Sequence, residues 1–391
     1  MTTDTRRAHG LHKAAPAPLS FTDRLYALRD RLLGSQQFQR FSASFFLTRP
    51  IARRQAGALF DLCAGFVYSQ ILAACVDLDL FRRLRAEPQT GDKLARDLGI
   101  PGERLSRLLD GAVSLRLLSR RRGNRYGLGM LGAALVDNPG IAAMVQHHGM
   151  LYRDLANPVT LLRDRHGQTE LSRFWGYAGA ADAAALAADD VAAYSALMAS
   201  SQSFIAADVL DAYRFDTHRC VMDVGGGEGA FIAAAAAKHP QLTFKVFDLP
   251  AVADRARTRL AALGDRVAVH GGSFVDDPLP RGADLITLVR VVHDHDDAVV
   301  RQLLRAAYDA LPPGGKLLIA EPMAGAPGAG QVGAAYFGFY LMAMGSGRAR
   351  TSAELTALLV AAGFTKPRVL TTHQPLLTGA IVAEKQVLSL G

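Results

Sequence analysis

Asp223-Val224-Gly225-Gly226-Gly227-Glu228-Gly229-Ala230 decides the fold. It follows an apolar run read as a strand, 220–224, and precedes a run read as a helix, 230–238. Glycines at such a junction let the backbone approach a ligand closely, and the helix N-terminus beyond them offers free N–H groups. Gly225, Gly227 and Ala230 satisfy G-x-G-x-x-A, so a dinucleotide-binding oxidoreductase remains open at this point. Outward from here the alternation continues. Strands are expected at 244–248, 267–270, 284–292 and 316–321, and a helix at 296–311 stopped by Pro312-Pro313-Gly314-Gly315. A helix at 351–362 closed by Gly363 and strands near Val369 and Ile381 follow, one of which could run antiparallel. Such alternation is the pattern of an α/β fold with a parallel sheet.

At roughly 150 residues per domain, the 391-residue chain holds two or three domains. Half of it is hydrophobic, which excludes a wholly disordered protein. The net charge is +8, and its distribution matters more than its size. Residues 1–60 hold 10 Lys and Arg against 3 Asp, while the other 331 residues carry 34 against 33 acids. The body of the chain is therefore no general polyanion binder. Three cysteines form no CxxC pair, which fits a reducing, cytoplasmic setting. The first thirty residues lack the continuous apolar run of a secretory signal. The uncharged run between Asp61 and Asp77 has 15 residues, fewer than the about 20 that a bilayer span needs.

Three parts are expected: a basic helical arm over 1–57, a winged-helix-like and helical domain over 58–204, and the α/β domain over 205–391. Residues 1–20 read as a flexible tail, and 21–60 as one or two helices. Leu25, Leu28, Leu32 and Leu33 recur there at helical spacing among Arg24, Arg29 and Arg31. Arg49, Arg53 and Arg54 stand beside Phe45, Phe46 and Leu47. This pattern fits a solvated helix face and also peripheral contact with an anionic membrane. Thr90 then opens a short helix closed by Gly99, and Pro101 opens a second with Leu105, Leu108, Leu109 and Ala112 on one face. Gly123-Asn124 turns a hairpin, completing a winged-helix pattern that by itself admits DNA binding. The near-neutral body argues against a nucleic-acid partner. His147-His148 is expected on an ordinary helix surface.

Asp248, at the end of the second strand, is placed to accept hydrogen bonds from ribose hydroxyls, with a helix cap as the plainer role. The fourth strand leads into Val291-Val292-His293-Asp294-His295-Asp296-Asp297. His-x-His-x-Asp admits a metal, but Ala298 stands where a further His would be needed, so no metal is expected. A single His at the C-terminal edge of a parallel sheet is well placed as a general base. Glu321, ending the neighbouring strand, could orient that ring.

Together Asp-Val-Gly-Gly-Gly, Phe247-Asp248-Leu249-Pro250, His293-Asp294 and Pro313-Gly314-Gly315-Lys316 through Glu321 resemble the class I S-adenosylmethionine-dependent O-methyltransferases of the acetylserotonin and plant phenol type. The resemblance covers residues ~60–385 and implies a winged-helix dimerisation domain, a C-terminal Rossmann-like methyltransferase sheet, a homodimer and S-adenosylmethionine as methyl donor. It implies catalysis by His293 flanked by Glu321, and cofactor contacts from Gly225, Gly227, Asp248, Ser273, Phe274 and Arg290. Phe45 to Arg54, Leu59 to Tyr68 and Val289 to Asp297 are most similar to the carotenoid-methylating branch, implying a hydroxylated acyclic carotenoid rather than a phenol or polyketide as substrate. Family members build their substrate wall where Val332–Met344 stands here. There are three departures: His295 replaces the usual Trp, Gly272 an acid that meets the adenine, and Ala349 a second acid beside the base.

Overall fold

The central strands of the α/β domain are short, largely apolar runs buried on both faces, and their side chains alternate between two cores with period two. A computed structural model describes residues 20–163, 168–178, 188–326 and 332–387, so the tail read at 1–20 lies, apart from Ser20, outside the described residues. The chain divides into two compact units, Met1–Ile71 and Leu72–Gly391.

In the first unit α1 (Phe21–Gly34), α2 (Gln36–Ser44) and the first part of α3 (Arg49–Asp77) replace the one or two helices expected. Ser20 caps α1 reciprocally with Asp23, and the Ser35 hydroxyl caps α2, which sets the break between them. No residue of α1 or α2 is buried. At 29 residues and a mean hydropathy of 1.7 over its most apolar window, α3 is long and apolar enough to cross a membrane by length and composition. It exceeds the uncharged 15-residue run because its first two turns carry Arg49, Arg53 and Arg54. It also runs unbroken through residue 57.

The second unit begins with the winged-helix elements: β1 (Gln89–Thr90), helices Gly91–Leu98 and Gly102–Ser114, and the hairpin β2 (Leu118–Arg121) and β3 (Arg125–Leu128). Thr90 caps the first helix, and Leu105, Leu109 and Ala112 form the buried face of the second. Gly123 and Asn124 both take positive φ, as the tight hairpin turn requires.

The large sheet comprises β4 (Cys220–Val224), β5 (Thr243–Asp248), β6 (Val267–Gly271), β7 (Leu285–Val289), β8 (Lys316–Glu321), β9 (Phe364–Leu370) and β10 (Gly379–Lys385). Their order is β6-β5-β4-β7-β8-β10-β9, with β10 antiparallel to both neighbours and β4 to β8 parallel. One core takes Met222, Val224, Ile286, Leu288, Leu317 and Ile319; the other takes Val221, Leu285, Val289, Leu318 and Ala320. Covering both faces is what a parallel sheet needs. The strand expected at 284–292 stops at Val289, because Arg290 turns out of extended backbone with φ 61°. The chain order reverses between β4 and β7, and a crevice beyond the C-terminal strand ends is the expected ligand site.

Candidate functional site

A cavity of about 340 Å³ opens at that reversal point, within the range of small-molecule sites. Its lining comes from successive strand ends: Asp223 and the glycine loop after β4, Asp248 after β5, Gly272 to Asp276 after β6, and Val289 to Val291 after β7. Gly225 has φ 67°, and a Cβ there would stand 2.7 Å from Val291 Cγ2. Gly227 also has positive φ, but a Cβ there would meet nothing within 4 Å, so its loop faces open space.

Asp248 is held rather than free. Its Oδ2 accepts the Gly227 N–H at 2.7 Å and its Oδ1 the Leu249 N–H at 2.7 Å. Burial pushes its carboxyl up to about 6, with the two N–H groups pulling back. Asp223, receiving the Thr287 hydroxyl at 2.7 Å, is pushed up to about 7, again chiefly by burial. Ser273, Phe274 and Arg290 line the same cavity. Gly272 is explained by its neighbours: a Cβ there would lie 2.9 Å from the Phe247 ring and 3.0 Å from Asp277 Oδ2. No acid fits at that position, and Asp276 instead brings a carboxylate to the cavity lining, with its Oδ2 accepting the Ser273 hydroxyl at 3.1 Å.

His293 and Glu321 do come together, His293 from the middle of a short 3₁₀ turn (Val292–Asp294) and Glu321 from the end of β8. Glu321 Oε2 accepts the His293 backbone N–H at 2.9 Å and stands 3.4 Å from Nδ1. The second contact is electrostatic, since among the described residues Nδ1 and Glu321 Oε1 are both buried without a hydrogen-bond partner. Nε2 faces Asp294 Oδ1 at 3.2 Å, and the Tyr177 hydroxyl donates to Asp294 Oδ2 at 2.9 Å. Burial lowers the imidazole pKa, but Asp294 and then Glu321 outweigh it, and the net direction is upward from the ordinary 6.5. Asp294 and His295 line the cavity, with His293 set back against Asp294. His295 packs edge-on against Phe274, and Asp297 is taken by Arg348 and Arg350, so the His-x-His-x-Asp side chains have separate partners. Among the described residues no group of three or more His, Cys, Asp or Glu is arranged to hold a metal.

Several contributors escaped the sequence reading. Arg350, next to the departure at Ala349, is fully buried and clamps the His293 segment. Its guanidinium donates to the Val292 and His295 carbonyls, each at 2.8 Å, and to Asp297 at 2.6 and 2.9 Å. Trp175, Tyr177, Tyr194, Ser195 and Met198 complete the cavity from a region that carried little visible chemistry. Trp175, the chain's one tryptophan, was the available signal. Of the two adjacent histidines His147 is buried and His148 half-buried, rather than both on an open helix surface: His147 Nε2 meets the Tyr340 hydroxyl at 2.8 Å and His148 Nε2 the Tyr336 hydroxyl at 2.7 Å. Their partners come from the segment read as a substrate wall. That segment is a π-turn and helix whose Tyr340, Leu341, Ala343 and Met344 pack into the core with Leu151, Leu171 and Trp175. Phe337, at 5.9 Å from the His293 ring, is the residue that brings it to the site.

Comparison with known proteins agrees with this geometry. An O-methyltransferase domain matches residues 152–365, and an O-methyltransferase dimerisation domain matches 60–138. The demethylspheroidene O-methyltransferase of Cereibacter sphaeroides is 44% identical over 90% of this chain and 93% of its own. Acetylserotonin O-methyltransferase of Gallus gallus is 30% identical over 80% of this chain and 92% of its own. The crystal structure of human N-acetylserotonin methyltransferase in complex with S-adenosylmethionine superposes with a TM-score of 0.71 at 25% identity, covering 85% of this chain and 98% of that one. The chain therefore belongs to the S-adenosylmethionine-dependent O-methyltransferases, and it carries their dimerisation domain ahead of a Rossmann-like catalytic domain.

Proposed function

We propose that this enzyme methylates the tertiary 1-hydroxyl of an acyclic carotenoid of the demethylspheroidene type. The observation that carries the substrate is the 44% identity to the demethylspheroidene enzyme, against 30% for an acetylserotonin enzyme. Phe337, 5.9 Å from the His293 ring, puts apolar surface beside the base, as such a substrate needs. The reading also includes a homodimer, the three-part division of the chain, and access to the lipid substrate from a membrane surface on the cytoplasmic side. Nucleic acid has no part in it, and two winged-helix arginines are already paired, Arg107 with Glu103 and Arg120 with Asp110, each at 2.6 Å.

The cavity fits S-adenosylmethionine in the polar atoms that line it. Tyr194 Oη and Ser195 Oγ line it, buried without hydrogen-bond partners among the described residues. Gly225 and Gly227 would hold the cofactor by backbone, Asp248 by its carboxylate, and Ser273, Phe274 and Arg290 by flanking it. When bound, S-adenosylmethionine supplies an electrophilic methyl group, so the chain's work is to position the hydroxyl and take its proton. His293 is the base. A tertiary alcohol is a weak acid, so proton removal accompanies or follows bond formation. The carboxylates of Glu321 and Asp294 stabilise the imidazolium that results, and Tyr177 holds Asp294 in place.

Replacing Asp248 with Ala should weaken S-adenosylmethionine binding by about 1.5–3 kcal/mol, the range for a hydrogen bond to a charged group. Calorimetry reads this directly, and unchanged affinity in a folded variant would leave Asp248 a loop brace only. For the substrate, labelled S-adenosylmethionine with a panel of hydroxylated carotenoids and phenols, followed by mass analysis, should yield a methyl ether of the tertiary carotenoid alcohol. Product from phenols alone would refute the carotenoid assignment.

A further inference from the structure

We infer that α1 is an interfacial anchor that lies along an anionic lipid surface with one face in the headgroup layer. On a helix of about 3.6 residues per turn, Phe21, Leu25, Leu28 and Leu32 fall in one stripe about 60° wide. Arg24 and Arg31 flank that stripe on one side and Arg29 on the other, about 70–90° away. Asp23 and Asp30, the only acids of the helix, lie on the opposite face. A helix turned toward water has no reason to sort its charges by sign in this way, whereas one turned toward anionic headgroups does.

Among the described residues nothing covers the stripe. Phe21 is 78% exposed, Leu25 49%, Leu28 55% and Leu32 46%. Beyond it α2 continues the theme: Phe41 stacks on Phe45 at 5.3 Å, Phe45 meets Phe46 at 5.1 Å, and Phe46 and Leu47 are each about two-thirds exposed. Among the described residues, Arg24, Arg31, Arg40, Arg49, Arg53 and Arg54 form no ion pair, and Arg29 pairs only with its neighbour Asp30.

Charge selects lipid over a second copy of the chain. Residues 20–58 hold seven Arg and two Asp, and a two-fold contact of this face with itself would bring the arginines together. The matched dimerisation domain starts only at residue 60. Charge also selects lying over spanning. The charge-free part of α3, residues 62–76, measures about 22 Å at 1.5 Å per residue, short of the about 30 Å of a hydrocarbon core.

The carotenoid reading gives the anchor a use, but the anchor rests on the residues of α1 and is tested without substrate. Full-length protein is sedimented with phosphatidylcholine vesicles, with and without phosphatidylglycerol. It should pellet with the anionic vesicles alone and be released at about 1 M salt, where charges are screened within about 3 Å. Leu25→Glu with Leu32→Glu, and separately Arg24→Glu with Arg31→Glu, should each weaken pelleting at least ~10-fold while leaving the heat of S-adenosylmethionine binding unchanged. Equal pelleting with neutral vesicles, pelleting that resists salt, or no pelleting would each overturn the anchor. So would variants that pellet like the parent protein, or that instead lose the dimer in light scattering. Carotenoid methylation in detergent without vesicle binding would defeat the anchor and leave the substrate assignment standing.

Discussion

His293→Ala should retain S-adenosylmethionine binding and lose methyl transfer by at least ~10²-fold, the lower end of what a general base contributes. The loss is expected in kcat, because the imidazole sits behind Asp294 and not in the lining of the cofactor cavity. The same geometry sets the pH dependence. Asp294 and Glu321 favour the charged ring and outweigh burial, so the neutral base becomes available only as pH rises through a value above the ordinary 6.5. Wild-type turnover should therefore climb across that range, and the His293→Ala remnant should not follow it. A single-turnover measurement across pH checks both; near-normal turnover in the variant would remove His293 from the chemistry.

Arg350→Met should cost about 2–4 kcal/mol of folding stability, the second large effect. Its guanidinium is fully buried and serves two backbone carbonyls and one carboxylate. Breaking a buried pair typically costs about 3–5 kcal/mol. The lower figure applies because Asp297 is 39% exposed and keeps Arg348 as a partner. Thermal unfolding should fall by roughly 3–6 °C. Methyl transfer should fall as well, since Val292 and His295, whose carbonyls the arginine holds, bracket His293. An unchanged melting temperature would mean that this segment is braced elsewhere.

Much of both the dimerisation and the catalytic domain was legible in the sequence. The glycine loop, the strand ends at Asp248 and Glu321, and Gly99, Gly123-Asn124 and Gly363 as punctuation all depend on local backbone chemistry. A left-handed turn needs glycine or asparagine, and a buried strand needs a short apolar run, so the chain states them directly. The boundaries failed where tertiary geometry intervened. The strand read to residue 292 ends at Val289, because Arg290 takes a positive φ that no composition rule foretells for arginine.

The sequence by itself determined the fold class, the order of the motifs and the family, because each is written in residues close together in the chain. Only the tertiary structure decided which distant side chains share the site. Trp175, Tyr177 and Tyr194 arrive from a helical region some thirty to fifty residues before the glycine loop. Arg350 reaches back 58 residues to hold the Val292 carbonyl, and His147 turns inward because Tyr340, 193 residues away, offers it a buried hydroxyl. Such contacts depend on burial and long-range packing: a polar group removed from water must find a partner, and the folded sheet and helices decide which partner is near.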